Sequence, residues 1–266
     1  MLNSTGDESF ETLLVERTDA GALWITLNRP ERRNALTATM LDELTEVVRE
    51  LDHGRDAPRV VLFRGAGDHF CAGLDRGTQS IDSGRLYELV AMIHECTQPT
   101  VALLHGRVSG FGLALAVAAD IRLAAESMSA DDIFIRLGVS GCELGISYLL
   151  PRQVPASIAA EIVLTGRKWS AQTAARIGWV SNIVPDSELG TEADRLVHDM
   201  LRAAPLALRM TKKVLRGDGS ATALRAAMAL ERAAQDECMA GPDFQEAIAA
   251  FVERRSPAWV ANSPHA

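Results

Sequence analysis

Several things are missing from this chain of 266 residues, and each absence removes a class of function. There is no CxxC pair among its four cysteines, Cys71, Cys96, Cys142 and Cys238, and no histidine at zinc-finger spacing from them. A zinc-ribbon or redox-motif reading is therefore excluded, and reduced thiols in a cytoplasmic protein are expected. There is no excess of positive charge: the formal net charge is −8 and the isoelectric point about 5.3. A nucleic-acid partner is not expected, because phosphate binding needs the opposite balance. An anionic ligand must be held by local basic residues and not by the global field. No apolar stretch reaches the length of a membrane span without a charge or a glycine, so no membrane association is expected. The opening segment MLNSTGDESFETLL has neither a basic nor an apolar signal region, so no signal peptide is expected.

What the chain does have is enough apolar mass for a core, 47% of residues, with 23% charged. Its pattern alternates. LLVERTDAGALWITLNRP reads as two strands around a turn at Asp19–Gly21. Leu41, Leu44, Val48 and Leu51 recur at helical spacing. RVVLFRG is a short buried strand, RLYELVAMIHECT a helix stopped near Pro99, TVALLHG and IRLAA two further strands. Strand and helix alternating through short connections predict an α/β layered core. Beyond it, SIAAEIVLTG and SAQTAARIG read as helices and WVSNIVP as a strand. After Pro185 the pattern predicts only helices, over about 187–203, 205–216, 220–240 and 242–254.

Two glycine-bearing loops follow strands: GDHFCAGLD, 67–75, and HGRVSGFG, 105–112. Glycine permits φ > 0 and close approach, which leaves backbone N–H groups free to point at a ligand. The second loop also opens a helix, where the first amides lack partners. Two such loops side by side could direct two N–H donors at one oxygen, an oxyanion hole. Loop shape alone leaves a purely structural turn open as well. A dinucleotide fingerprint fails because Leu115 stands where its third glycine belongs. A phosphate-binding P-loop needs GK[ST], and a nucleophile elbow needs GxSxG; neither occurs.

The segments ITLNRPERRNAL, HFCAGLD, HGRVSGFGLALAVAADIRLAA, LLPR, LTGRKWSAQTAARIGWVSNIVP and FVERRSP, in this order and spacing from about residue 12 to 260, together resemble the enoyl-CoA hydratase/isomerase (crotonase) family. The resemblance implies a crotonase-like spiral of ββα units with a C-terminal helical trimerisation region. It places a core with the acyl-CoA site in 1–190 and an oligomerising helical region that covers the CoA in 191–266. It implies a homotrimer or hexamer acting on an acyl-CoA thioester, with coenzyme A as part of the substrate, no other cofactor and no metal. By match to the two loops, the oxyanion donors are the amides of Leu74 and Phe111, the latter between Gly110 and Gly112. Phe111 stands where many relatives have glycine, and its side chain is expected to narrow the pocket. Ala35, Ala72, Asp75, Arg76, Gly77, Gly110, Phe251 and Arg254 match positions that line the nucleotide, pantetheine and adenine. For Arg32, Arg33 and Arg254, phosphate contact and a solvated surface both stay open.

The resemblance also exposes a gap. Hydratases of the family use two glutamates to activate water, and the matching positions here are Ala114 and Phe134. Neither side chain can move a proton. Glu143, in SGCELGISYLLPR, is the expected replacement, because a loop carboxylate beside an apolar run can have a raised pKa. Asp132 is the second candidate. Asp120 is expected to open a strand and His105 to fill a strand end. The expected activity is isomerase-type proton transfer through Glu143; the alternatives are a hydratase with a non-standard acid/base set and a catalytically silent acyl-CoA-binding protein.

Overall fold

A computed structural model of the chain describes residues 8–51, 57–75 and 81–259. The opening hairpin forms as the turn residues predict. β2 (Leu13–Arg17) and β3 (Ala22–Leu27) pair antiparallel, with Gly21 at φ 97° between them, and the short β1 (Glu8–Ser9) adds to β2. From β3 onward the sheet is parallel. β4 (Val60–Gly65), β5 (Thr100–Leu104), β7 (Ile121–Ala125) and β10 (Asn182–Val184) extend it in that order, giving seven strands.

Period-two alternation divides each central strand between two apolar layers. Val61 and Phe63 of β4 face one core, and Val60 and Leu62 face the other. The larger core is closed by α1 (Ala38–Glu50), α2 (Ser83–Glu95) and α3 (Phe111–Ala118). Thr37 caps α1 by accepting from the Met40 amide at 3.1 Å, and Asp82 caps α2 by accepting from Gly84 at 2.8 Å. All eight residues of α3 are buried, as expected for a helix that is apolar all round. The second face is covered by Leu189, Ala193 and Val197 of α7 (Leu189–Leu201), so the boundary expected at residue 190 falls inside a helix that packs on the sheet.

The remaining elements are β6 (Arg107–Ser109), β8 (Ser129–Asp131) and β9 (Trp169–Ser170), which form a second, three-stranded sheet, together with α4 (Ile146–Leu149), α5 (Ala156–Thr165) and α6 (Ala171–Arg176). The tail is helical, with α8 (Pro205–Arg216), α9 (Ser220–Ala240) and α10 (Pro242–Glu253) close to the expected spans. Proline in the first turn marks the start of α8 and α10.

Two expectations need correcting. HGRVSGFG is not a plain loop, because β6 runs through it. WVSNIVP is strand only from Asn182; Trp179 is instead buried, its indole N–H donating to Gln153 Oε1 at 3.1 Å. Short strands of two or three residues carry too little alternation to be read from sequence.

Candidate active site

Residues 70–75 run as a rung between two partners. On one side Phe70 donates to His105 O (2.9 Å), Cys71 donates to Arg107 O (3.0 Å) and Cys71 O accepts from Ser109 (3.0 Å). On the other side Ala72 donates to Arg33 O (3.0 Å), Gly73 O accepts from Leu36 (2.8 Å) and Asp75 donates to Leu36 O (2.9 Å). Leu74 is the middle residue of the bridge to Leu36, so its own N–H points away from Leu36. Phe111 is the first residue of α3, with no preceding turn to accept from its amide. Neither the Leu74 nor the Phe111 amide has an acceptor among the described residues.

Two glycines bring these donors together. Gly73 has φ 104° and Gly110 φ 53°. A Cβ on Gly110 would lie 3.4 Å from Gly73 Cα, and one on Gly73 would lie 3.3 Å from Ser109 O. The residue that follows each glycine is the candidate donor, so the two free amides sit on adjoining backbone. Both residues line one cavity of about 630 Å³. The Phe111 side chain is fully buried in the core, and Gly110 and Phe134 line the cavity with it.

The cavity wall is mostly apolar, from Phe134, Leu137 and Val139 on one side and Phe244, Ile248 and Phe251 of α10 on another. Glu143 is the carboxylate set deepest in it. Burial first, and the charge of Glu231 second, raise its pKa to about 7, so both protonation states are populated near neutral pH. Asp132 is also pushed up, to about 8, by burial. It is not in the cavity wall: its side chain is fully buried, with Oδ1 accepting from the Phe134 amide at 3.2 Å. Ala114 is buried within α3 and does not reach the cavity; Phe134 does. Neither supplies a carboxylate.

A second, more open groove of about 520 Å³ is lined by Glu31, Arg32, Arg33, Ala35, Ala72, Leu74 and Asp75. Ala72 and Leu74 belong to both, which makes the two continuous. Asp75 is held by Arg29 at 2.8 Å. Of the expected nucleotide-end residues, Ala35, Ala72 and Asp75 are therefore gathered in this groove. Phe251 lies in the wall of the deeper cavity instead, and Arg254 lines neither. Arg76 and Gly77 lie outside the described residues. Asp120 stands immediately before β7, as expected; it also accepts from Thr100 N at 2.8 Å and pairs with Lys212 (2.8 Å) and Arg216 (2.7 Å), tying α8 to the sheet. His105 follows β5, its Nε2 3.1 Å from Gly67 O. Among the described residues no group of three or more His, Cys, Asp or Glu side chains is placed to hold a metal, and no helix is long and apolar enough to cross a membrane.

Sequence reasoning missed the residues that mount Glu143. Glu231 and Gln235 of α9 are buried beside Leu224 and Met228 on one helical stripe. Glu231 accepts from the amides of Gly145 (2.7 Å) and Ser147 (2.8 Å), and Gln235 Nε2 donates to Ser140 O (2.9 Å). The available signal was two polar residues, four apart, on the stripe that also carries the buried leucine and methionine. Tyr87 of α2 and Arg232 of α9 also line the cavity; burial and the Glu143 charge push the Tyr87 phenol above its ordinary range.

Comparison with known proteins gives the family of the chain. The profile of the family described as enoyl-CoA hydratase/isomerase matches residues 17–262. A probable enoyl-CoA hydratase of Mycobacterium tuberculosis is 36% identical over 261 residues, covering 92% of this chain and 91% of its own. The 1,2-epoxyphenylacetyl-CoA isomerase of Escherichia coli is 29% identical over 256 residues, covering 92% and 97%. Among solved structures, an enoyl-CoA hydratase/isomerase from Pseudoalteromonas atlantica superposes with a TM-score of 0.86 at 28% identity, covering 94% of this chain and all of its own. A carnitinyl-CoA hydratase from Mycobacterium avium gives the same TM-score and identity over 96% of this chain and all of its own. With its paired glycine loops, its parallel sheet and nearly its whole length matched, the chain belongs to the enoyl-CoA hydratase/isomerase family and has the crotonase fold.

Proposed function

We propose that the chain is an acyl-CoA-processing enzyme that moves a proton on the acyl group, an isomerase-type reaction, through an enolate held by the Leu74 and Phe111 amides. The observation that carries this reading is the juxtaposition of two unpartnered backbone donors, each following one of two adjoining glycines, with one carboxylate, Glu143, whose pKa is raised to about 7, in the same apolar cavity. The thioester oxygen sits between the amides, which stabilise negative charge as the α-proton leaves; each such donor is worth about 3 kcal/mol of transition-state stabilisation. Glu143 takes the proton and returns it at another carbon, for which a pKa near the operating pH is best suited. Ala114 and Phe134 put no carboxylate at the two positions matching the glutamates that activate water in hydratases of the family, which favours proton transfer over hydration. Coenzyme A extends through the groove of Ala35, Ala72 and Asp75, with Arg32 and Arg33 at hand for its phosphates.

The α8 helix supports a homotrimer or hexamer. It exposes Leu206, Met210, Val214 and Leu215, with 206, 210 and 214 in one stripe. A cytoplasmic setting fits four cysteines of which none is in a disulfide.

Turnover decides the reading. 3-Enoyl-CoA and dienoyl-CoA substrates should be isomerised faster than crotonyl-CoA is hydrated. The reverse order would make the protein a hydratase with another acid/base set. CoA thioesters bound without turnover would make it a silent binder, and equal affinity for a CoA thioester and a free fatty acid by calorimetry would undo the CoA placement. Sedimentation at micromolar concentration showing only a 28.7 kDa monomer would remove the oligomer.

A further inference from the structure

We propose that Glu231 is the positioning residue for Glu143: from α9 it clamps the turn that carries Glu143 by two backbone amides, and its charge moves upward the pH range in which Glu143 exchanges a proton. The inference rests on the reading of Glu143 as the proton carrier.

The turn needs a clamp. Glu143 is followed by two residues in the left-handed region, Leu144 at φ 54° and Gly145 at φ 85°. A leucine adopts that conformation only when its surroundings enforce it. Glu231 is 3% exposed, and its two carboxylate oxygens take the two amides that flank the turn's exit, Gly145 through Oε2 and Ser147 through Oε1. The turn lies flat on the same helix: a Cβ on Gly145 would meet Met228 Cε at 2.8 Å and Leu224 Cδ1 at 2.9 Å. Gln235, one turn further along α9, holds Ser140 O and so fixes the entry to the loop.

Glu231 is also the charge that Glu143 feels. Two carboxylates in one buried neighbourhood cannot both ionise easily, and the one with backbone donors ionises first. Burial pushes the Glu231 carboxyl up as well, but its two backbone donors pull it back, so Glu231 ionises before Glu143. The other groups around the pair are Arg232 and Asp236 on α9, Tyr87 from α2, Asp132 after β8 and Cys142 in the loop itself; α10 presents Phe244, Ile248, Phe251 and Val252. After burial, the Glu231 charge is what raises the Glu143 pKa, while the Glu143 charge in turn pushes up Asp132 and Tyr87.

The sign follows. A base works ionised, so isomerisation of 3-hexenoyl-CoA by the wild-type protein should rise with pH through about 7. Glu231→Gln removes the charge while keeping the size, so Glu143 ionises more readily and the rising limb should move to lower pH, by at least about half a unit. Glu231→Asp keeps the charge but shortens the reach, so kcat should fall with the limb in place. A clamp without electrostatic influence would lower kcat in both variants and leave the limb where it is, which would overturn the proposal. If Glu231→Gln does not fold, carboxyl signals of 13C-glutamate-labelled wild-type protein, with Glu143 assigned by its loss in Glu143→Gln, replace it. The Glu143 signal should titrate near neutral pH with a second, smaller inflection at lower pH as Glu231 ionises. A single titration in the ordinary carboxylate range would overturn the proposal. This readout needs no substrate, so a wild-type protein without turnover would remove the functional reading and still leave the coupling decided.

Discussion

The two halves of the site are built by different means. The donor half, around Leu74 and Phe111, is made of backbone against backbone. Its geometry comes from ladder hydrogen bonds and from glycines held at positive φ. The carboxylate half, around Glu143, is made of side chains reaching across the fold. Its clamp joins Gly145 to a residue 86 positions later. The first half tolerates almost any side chain that leaves the backbone alone; the second can be retuned by changing one distant side chain. A fold of this kind can therefore keep its oxyanion site while its acid/base chemistry varies.

Substitutions break the comparison most sharply where the backbone has no room. Gly106 has φ 50°, and a Cβ there would lie 1.9 Å from Asp68 O. Gly106→Val should cost about 3 kcal/mol or more of stability, or prevent folding, because two backbones must separate. Thermal unfolding checks it, and a melting temperature within a few degrees of wild type would contradict the packing. Next in size is Glu143→Gln, which keeps shape but cannot accept a proton at neutral pH. It should lower kcat by about 10²–10⁴-fold with thioester binding retained, and solvent-deuterium exchange at the acyl α- and γ-carbons measures it. Undiminished exchange would move the proton to another group.

Leu74→Pro should follow, with a loss of about 10²–10³ in kcat, because proline removes the donor itself. Leu74→Ala retains the amide and should stay within a few-fold of wild type. Circular dichroism must first show that the proline variant folds, and full activity in a folded variant would exclude Leu74 as a donor. The smallest effect belongs to the surface ties of α9. Arg225 bridges Glu88 (2.8 Å) and Glu95 (2.7 Å) of α2, but all three are solvated to a degree that screens them. Arg225→Ala should cost about 1 kcal/mol or less in denaturant unfolding, and less still at high salt. A larger loss would mean that the carboxylate half depends on how α9 is anchored as well as on what it presents.

The donor half is legible in the sequence because its signals are local. Glycine after a strand, and glycine before an apolar helix, announce free amides within a few residues. The long helices α1, α2 and α7 to α10 are legible for a related reason, since an apolar stripe repeats several times along each. Glu143 can be named as a candidate, yet nothing near it in sequence shows why its pKa is raised. The desolvating walls come from α10 and from residues 133–139, and the like charge comes from α9. Asp132 has the same carboxylate and a similar place in the chain. It separates from Glu143 only because the chain after β8 turns its carboxylate onto the Phe134 amide and away from the cavity.

By itself the sequence determined the alternation of strand and helix, the two glycine loops, the absence of carboxylates at 114 and 134, and the family. These depend on residue type and short-range spacing, which the chain carries wherever it folds. Tertiary structure alone decided that Gly73 and Gly110 touch, that the Phe111 ring turns into the core, and that Glu231 sits beneath the Glu143 turn. Each of these joins segments dozens of residues apart, and the free energy that brings such segments together is the burial of apolar surface, which is non-directional. It selects the contacts only when the whole sheet and its helices close over one core, so no short stretch of residues contains the answer.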